Sequence, residues 1–303
     1  MPGGGLNRPV FCAIVIITLR QQMARDRERQ VSSLQRAHGR FGLTVQHREG
    51  QTRCADLAQG GCCRLLFPRV ARAGLEAVTV NISGGIVAGD RIEGHIQCGE
   101  GTELVVTSQA AERIYRARPG DQAAQVNVTC EIGPDATLEW LPHGTIFFDH
   151  SHLERRMCVE MTGSSRFLYL ENRIFGRAAS GEVLRRLSVR DTLSIRRDGR
   201  PVLEDRLALE GENMAAFFGR AAVAAGQMAV ATLVWVAAGA EEQLAAIRSL
   251  CGRSDEVDLA ASAWNGMLVV RGLARNGWRL EQAFHSLVAY LRTEKAAPVT
   301  WRT

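Results

Sequence analysis

Gly-Thr-Glu-Leu-Val-Val-Thr (101–107), Asp-Ala-Thr-Leu-Glu-Trp-Leu (135–141) and Ser-Ser-Arg-Phe-Leu-Tyr-Leu (164–170) are three versions of one unit. Each opens on small or turn-forming residues and runs into a short apolar stretch rich in β-formers. A second apolar step follows in each: Ile114-Tyr115, Ile146-Phe147-Phe148 and Ile174-Phe175. Aligned on Leu104, Leu138 and Leu168, the units recur at intervals of 34 and 30 residues. A period in this range is the mark of stacked supersecondary units that bury their faces against one another. The expected fold is mainly β, with a β-helical body of stacked sheets.

The flanking sequence extends this reading in both directions. Phe41–Val45 and Gln51–Ala55 form a hairpin around Glu49-Gly50, and Arg64–Phe67 is a short strand ended by Pro68. Leu75–Ser83 and Arg91–Cys98 alternate apolar and polar residues, as half-buried strands do. Val126–Ile132, Arg155–Met161 and Glu182–Arg197 supply further strands. Asp198-Gly199 is a hairpin signal of the type whose two central residues take positive φ. Beyond residue 211 alanine rises and the period becomes helical. Glu241–Leu250 and Arg279–Arg292 each carry an apolar stripe, the latter through Leu280, Phe284, Leu287, Val288 and Leu291. With strands at Met228–Val236 and Met267–Val270, the C-terminal part reads strand–helix–strand–helix. The expected organisation is a disordered N-terminal extension over 1–35, a β-helical body over 36–210, and a smaller α+β portion over 211–303 packed on that body.

Composition narrows the function classes. The 303 residues are 46% hydrophobic, ample for a sizeable core, and the net charge is +5. Almost all the positive charge is arginine, Lys295 being the sole lysine. Arginine suits bidentate pairing with carboxylates, although a GC-rich genome also favours it. The arginines are interspersed with Asp and Glu rather than clustered, which argues against a nucleic-acid interface. The eight cysteines form no C-x-x-C pair, so zinc-ribbon and thioredoxin chemistry are excluded, and a reducing cytoplasm is the expected compartment. The adjacent Cys62-Cys63 is a minor candidate for a soft metal. Phe11–Leu19 is too short to span a bilayer, and no membrane association is expected. Met23 is an alternative start.

Few motifs carry chemistry. Gly84-Gly85-Ile86-Val87-Ala88-Gly89-Asp90 lacks the Lys-Ser/Thr of a phosphate loop and precedes a strand, so its glycines are read as serving a tight turn. No Gly-x-Ser-x-Gly nucleophile is present. Asp90, Asp149 and Glu171 are the candidate functional carboxylates, and a solenoid hydrolase or lyase using Asp149 and Glu171 is the alternative reading. His150 and His152 would face the same way if both lay on a strand, as a chelating pair requires; otherwise they belong to a polar turn before the strand at Leu153.

Four ordered stretches resemble the urease accessory protein family UreD, also called UreH. They are Leu75-Glu76-Ala77-Val78 with Asn81 through Asp90, Thr107 through Arg116, Glu139 through Asp149, and Phe175 through Glu182. Within them Gly84, Gly85, Gly89, Gln109, Glu112, Tyr115, Pro142, Phe175, Gly176 and Arg177 are the motif residues. The ends, Gln35–Gly39 and Pro298–Trp301, are similar too, so the resemblance spans 35–303. His143, Gly144 and Ala88 depart from the family pattern, and the segment before residue 35 has no counterpart in it.

The resemblance implies a non-enzymatic scaffold for urease maturation. Its partners would be apo-urease, the accessory protein UreF and, through UreF, the GTPase UreG. No tightly bound cofactor is implied, only nickel in transit along an internal path. Asp90, Asp149 and Glu171 are the expected oxygen ligands of that path, because carboxylates hold a divalent ion less tightly than a histidine pair would.

Overall fold

Residues 35–69, 74–177, 180–251, 256–293 and 295–302 are described in a computed structural model. The expectation for 1–35 falls, except for Gln35, outside the described residues. Among the described residues seventeen strands dominate. They are β1 (His38–Arg48), β2 (Gln51–Gly61), β3 (Cys63–Leu66), β4 (Leu75–Asn81), β5 (Arg91–Cys98), β6 (Glu103–Ser108), β7 (Glu112–Ile114), β8 (Ala124–Ile132), β9 (Thr137–Trp140), β10 (Thr145–Phe147), β11 (His152–Met161), β12 (Arg166–Phe175), β13 (Arg186–Arg197), β14 (Arg200–Glu212), β15 (Ala229–Val236), β16 (Val257–Trp264) and β17 (Met267–Ala274). Among the described residues three α-helices accompany them: α1 (Met214–Gly219), α2 (Leu244–Leu250) and α3 (Gly277–Leu291).

The chain winds between two sheets. The first has the order β14-β13-β11-β8-β5-β1-β2, and its inner strands β13, β11, β8, β5 and β1 are mutually parallel. The second runs β16-β17-β15-β12-β9-β6-β4-β3, with β12, β9, β6 and β4 parallel. The second apolar steps of the repeats form a lower tier on this sheet, β10 pairing in parallel with β7 on one side and with the end of β12 on the other. Each circuit thus lays one strand in each sheet and, in the first two repeats, a short one in the tier. That is the β-helical body. Antiparallel strands close the sheets: β2 and β14 on the first, β3 and the series β15, β17, β16 on the second.

The register corrects one alignment. Leu104 stands opposite Leu138 as expected, but Leu138 pairs with Phe167, and Leu168 stands beside Glu139. The consequence is a change of face, since one residue of slip sends every side chain to the other side. Leu104, Leu138 and Phe167 join the core between the sheets, whereas Leu168 joins a second core on the outer side. Both faces of β12 are covered, which is why it reads as a continuous apolar run rather than an alternating one.

The core between the sheets is centred on aromatic packing such as the Phe147–Phe175 stack at 5.1 Å. Truncating either ring to alanine is expected to cost about 3–5 kcal/mol. The outer core is closed by α3, whose Leu280, Phe284, Leu287 and Val288 are buried, as the stripe in the sequence indicates. Asn276 caps this helix, accepting from the Trp278 N–H at 2.9 Å. The C-terminal strand β16, absent from the strand–helix–strand–helix reading, is alanine-rich and half exposed; β-propensity is a weak signal for such an edge strand. Helix α1 was missed as well; it is six residues long, too short for a periodic stripe. The Asp198-Gly199 hairpin has φ of 51° and 70° at its two central residues, as its type demands.

Candidate functional site: a charged cavity between the sheets

A cavity of about 310 Å³ lies between the two sheets. Phe41, Ile92, Val126, Val128 and Met157 form its apolar wall from the first sheet. The rest of the lining is polar: Glu112, Thr145, Tyr169 and Glu171 on the second sheet and its tier, with Arg155 and Asp191 from the first sheet beside them. Strand geometry places these groups. Thr145 of β10 stands between Glu112 of β7 and Arg173 of β12. Glu171 and Arg173 are two apart on one strand and therefore share a face. Arg155 and Asp191 are direct neighbours across β11 and β13.

Every charge on this wall except Glu112 is ion-paired. Arg155 donates from Nε and Nη2 to Asp191, at 2.9 and 2.6 Å, and its Nη2 also lies 2.8 Å from Glu171 Oε1. Arg173 Nε donates to Asp191 Oδ2 at 2.7 Å. Thr145 Oγ1 donates to Glu171 at 2.7 Å and accepts from Arg155 Nη1 at 3.1 Å. Burial pushes the Asp191 carboxyl upward, but the attraction and hydrogen bonds of Arg155 and Arg173 outweigh it and hold the carboxyl well below its usual range. Burial likewise works against the Arg155 charge, yet Asp191 and Glu171 keep it firmly cationic. Glu112 is different: desolvation raises its pKa, only partly offset by hydrogen bonds from Asn81 and the Arg113 N–H. The wall is an acceptor-rich surface with one carboxyl biased toward its neutral form.

The carboxylates expected from sequence occupy three distinct settings. Glu171 lines the cavity. Asp90 is buried and accepts the Ala37 and Val87 N–H groups at 2.7 and 2.9 Å, closing the glycine turn. Asp149 accepts the Arg185 and Arg186 N–H groups at 2.7 and 3.0 Å and pairs with Arg116 at 3.2 Å. Its pKa is lowered because those donors overcome the effect of burial. His150 sits in a turn with φ of 65°, its Nδ1 3.0 Å from Asp149, whereas His152 opens β11 and approaches the Asp121 carbonyl at 3.2 Å. The two do not share a strand. Among the described residues no group of three or more His, Cys, Asp or Glu is arranged to hold a metal ion, and no helix is long and apolar enough to cross a membrane.

The motif residues divide between wall and frame. Gly84, Gln109, Glu112 and Pro142 line the cavity. Gly85 has φ of 148°, and a Cβ there would lie 2.3 Å from the Tyr115 ring, whose hydroxyl donates to the Gly84 carbonyl at 2.9 Å. Gly89 also has positive φ. Phe175 belongs to the core stack, Gly176 N–H donates to the Phe147 carbonyl at 2.7 Å, and Arg177 pairs with Glu182 at 3.1 Å. Cys63 borders the cavity as well; burial and the adjacent Cys62 push its thiol up to about 12, so it is an uncharged wall residue.

Arg155, Asp191, Tyr169 and Thr145 escaped the sequence reading, yet a signal existed. Leu153, Arg155, Met157 and Val159 occupy one phase of an alternating strand, and so do Leu187, Val189, Asp191, Leu193 and Ile195. A charge in the apolar phase is a buried charge that needs a partner.

The chain matches the family model described as UreD urease accessory protein over residues 37–302. It is 41% identical to the urease accessory protein UreD of Cereibacter sphaeroides over 89% of this chain and 96% of the relative. Against the proteins of the same name from Agrobacterium fabrum and a Methylobacterium species the identity is 39%, over 88% and 89% of this chain and 92% and 96% of the relatives. These names describe an accessory factor and not a catalyst, in keeping with carboxylates engaged in ion pairs and main-chain hydrogen bonds. The chain belongs to the UreD urease accessory protein family and is a urease maturation factor, not an enzyme.

Proposed function

We propose that this protein is a cytoplasmic scaffold that binds apo-urease and the accessory protein UreF, reaches the GTPase UreG through UreF, and conducts nickel as cargo toward the urease active site. The observation that carries the reading is the oxygen-lined wall of the cavity between the sheets, where Glu171, Thr145 and Glu112 stand together. Oxygen donors exchange a divalent ion readily, and a path must release what it binds. Glu171 is the transit carboxylate on the wall; Asp90 and Asp149 frame the path by bracing the turns before β5 and β11. The ion pairs of Arg155 and Arg173 cancel most of the negative charge and keep the wall from becoming a trap.

The test is a deletion strain grown with adequate nickel. Urease protein should remain abundant while its activity and bound nickel fall together, and the intact gene should restore both. Normal nickel occupancy in the deletion strain would refute the proposal.

A further inference from the structure

The outward face of the lower tier carries residues that, Arg113 apart, do not line the cavity. Alternation turns Glu112, Ile114, Thr145, Phe147, Arg173 and Phe175 toward the interior, and Arg113, Ile146, Phe148 and Ile174 outward. Tyr115 packs edge-on against Phe148 with ring centroids 5.0 Å apart. Helix α3 covers the neighbouring outer face from its first residue, Gly277, where an added Cβ would lie 2.6 Å from Ile174, and leaves Trp278 56% exposed. The result is a strip of partly exposed aromatic and aliphatic groups outside the closed outer core.

Arginines border this strip. The Arg177 guanidinium lies 4.2 Å from the Phe148 ring centroid, and that of Arg279 lies 4.8 Å from Trp278. Arg113 is exposed and makes no ion pair with a described carboxylate, and Arg116, though paired with Asp149, keeps 62% of its side chain exposed. The paired carboxylates are Asp149, Glu182 and Glu256; Glu112, beside Arg113, is turned inward toward the cavity, so on the outward face the cations outnumber the acids. Aromatic rings flanked by arginines are the composition of interface hot spots, and the surplus of positive charge calls for a negative partner.

We infer that this strip is the docking surface for an acidic segment of a protein partner, which sets carboxylates on Arg113 and Arg177 and apolar side chains on Phe148 and Trp278. The inference rests on the scaffold role proposed above and assigns that role a surface. Arg113 borders the cavity as well, so the bound segment lies beside the cavity wall.

The experiment co-expresses the tagged full-length chain with apo-urease and UreF and measures co-captured partner. Variants are Arg113→Glu, Arg113→Gln and Trp278→Ala, with Trp264→Ala, 41% exposed on β16, as the control. Arg113→Glu and Trp278→Ala should each reduce capture about ten-fold, Arg113→Gln less, and the control not at all. Capture by the wild type should weaken as salt is raised. Thermal melts matching the wild type show that the variants fold. Wild-type capture by both Arg113→Glu and Trp278→Ala overturns the surface while leaving the scaffold role standing. Failure of the wild type to capture either partner overturns the scaffold role and the surface with it. A labelled single-stranded RNA that binds the wild type and not Arg113→Glu overturns the acidic-protein assignment in favour of nucleic acid.

Discussion

Arg155 of β11 and Asp191 of β13 stand directly opposite one another in the parallel register and are joined twice, at 2.9 and 2.6 Å. Asp191 is buried in the cavity wall and Arg155 is mostly so, and Asp191 also holds the buried Arg173. The geometry makes Asp191 the hub on which two cations depend.

Asp191→Ala is therefore expected to be among the most damaging single changes, costing about 3–5 kcal/mol, because it leaves both guanidinium groups buried with fewer partners. Urea unfolding of each variant would measure this. The combined change Arg155→Met, Arg173→Met, Asp191→Leu and Glu171→Gln should be less damaging than Asp191→Ala alone, since removing every charge of the network avoids an orphaned one. A combined variant weaker than the single one would contradict this account.

The same hub shapes the acid response. The Asp191 carboxyl is lowered in the folded protein, so its contribution is fully present above the unfolded carboxylate range, near pH 4, and is lost as pH falls toward its folded value. Asp191→Asn should remove that contribution and flatten the decline of stability below about pH 4. Unfolding midpoints taken at descending pH give the comparison.

A second pH effect belongs to the C-terminus. His285 stacks on Trp301 at 3.9 Å, and its Nε2 is 3.7 Å from Glu281, which also meets His143 Nδ1 at 3.4 Å. Burial lowers the His285 pKa, with Glu281 only partly opposing it. A histidine lowered on folding contributes stability that is full above the unfolded value, about 6.5, and is lost as pH falls below it. Glu281, lowered chiefly by its hydrogen bond with His143, contributes in the same sense but at more acid pH. Stability should thus decline as pH falls below about 6.5, and His285→Phe, which keeps the stack and removes the titration, should blunt the decline. An unchanged profile in that variant would assign the decline elsewhere.

The glycine turn offers a steric contrast. A Cβ at Gly84 meets nothing within 4 Å, whereas one at Gly85 would lie 2.3 Å from the Tyr115 ring. Both have positive φ. Gly84→Ala is expected to cost about 1 kcal/mol from backbone strain alone. Gly85→Ala should cost about 3 kcal/mol or more, as strain adds to overpacking. Thermal unfolding of the two variants would rank them.

Glu171→Gln tests the transit role separately from stability. The amide keeps an oxygen for Thr145 but removes the charge that faces Arg155. Under the proposal, partner capture persists while urease activation falls several-fold. Loss of capture and solubility together would assign Glu171 to the framework.

Much of this fold is local and so legible in the chain. Alternation along Arg91–Cys98 and Arg186–Arg197, the positive φ of Asp198-Gly199 and the stripe of α3 each follow from sterics within a few residues. The paired apolar steps of the repeats, and with them the β-helical winding, are visible for the same reason. What the sequence could not decide was register and partnership. Leu168 suits either face of β12, and the register that sets Phe167 beside Leu138 gives Phe167 the inner one. Arg155 could be marked as a charge in an apolar phase, but its partners Asp191 and Glu171 lie on other strands. Those choices belong to the tertiary structure because the burial free energy that selects them is shared across strands that meet only once the two sheets have closed on each other.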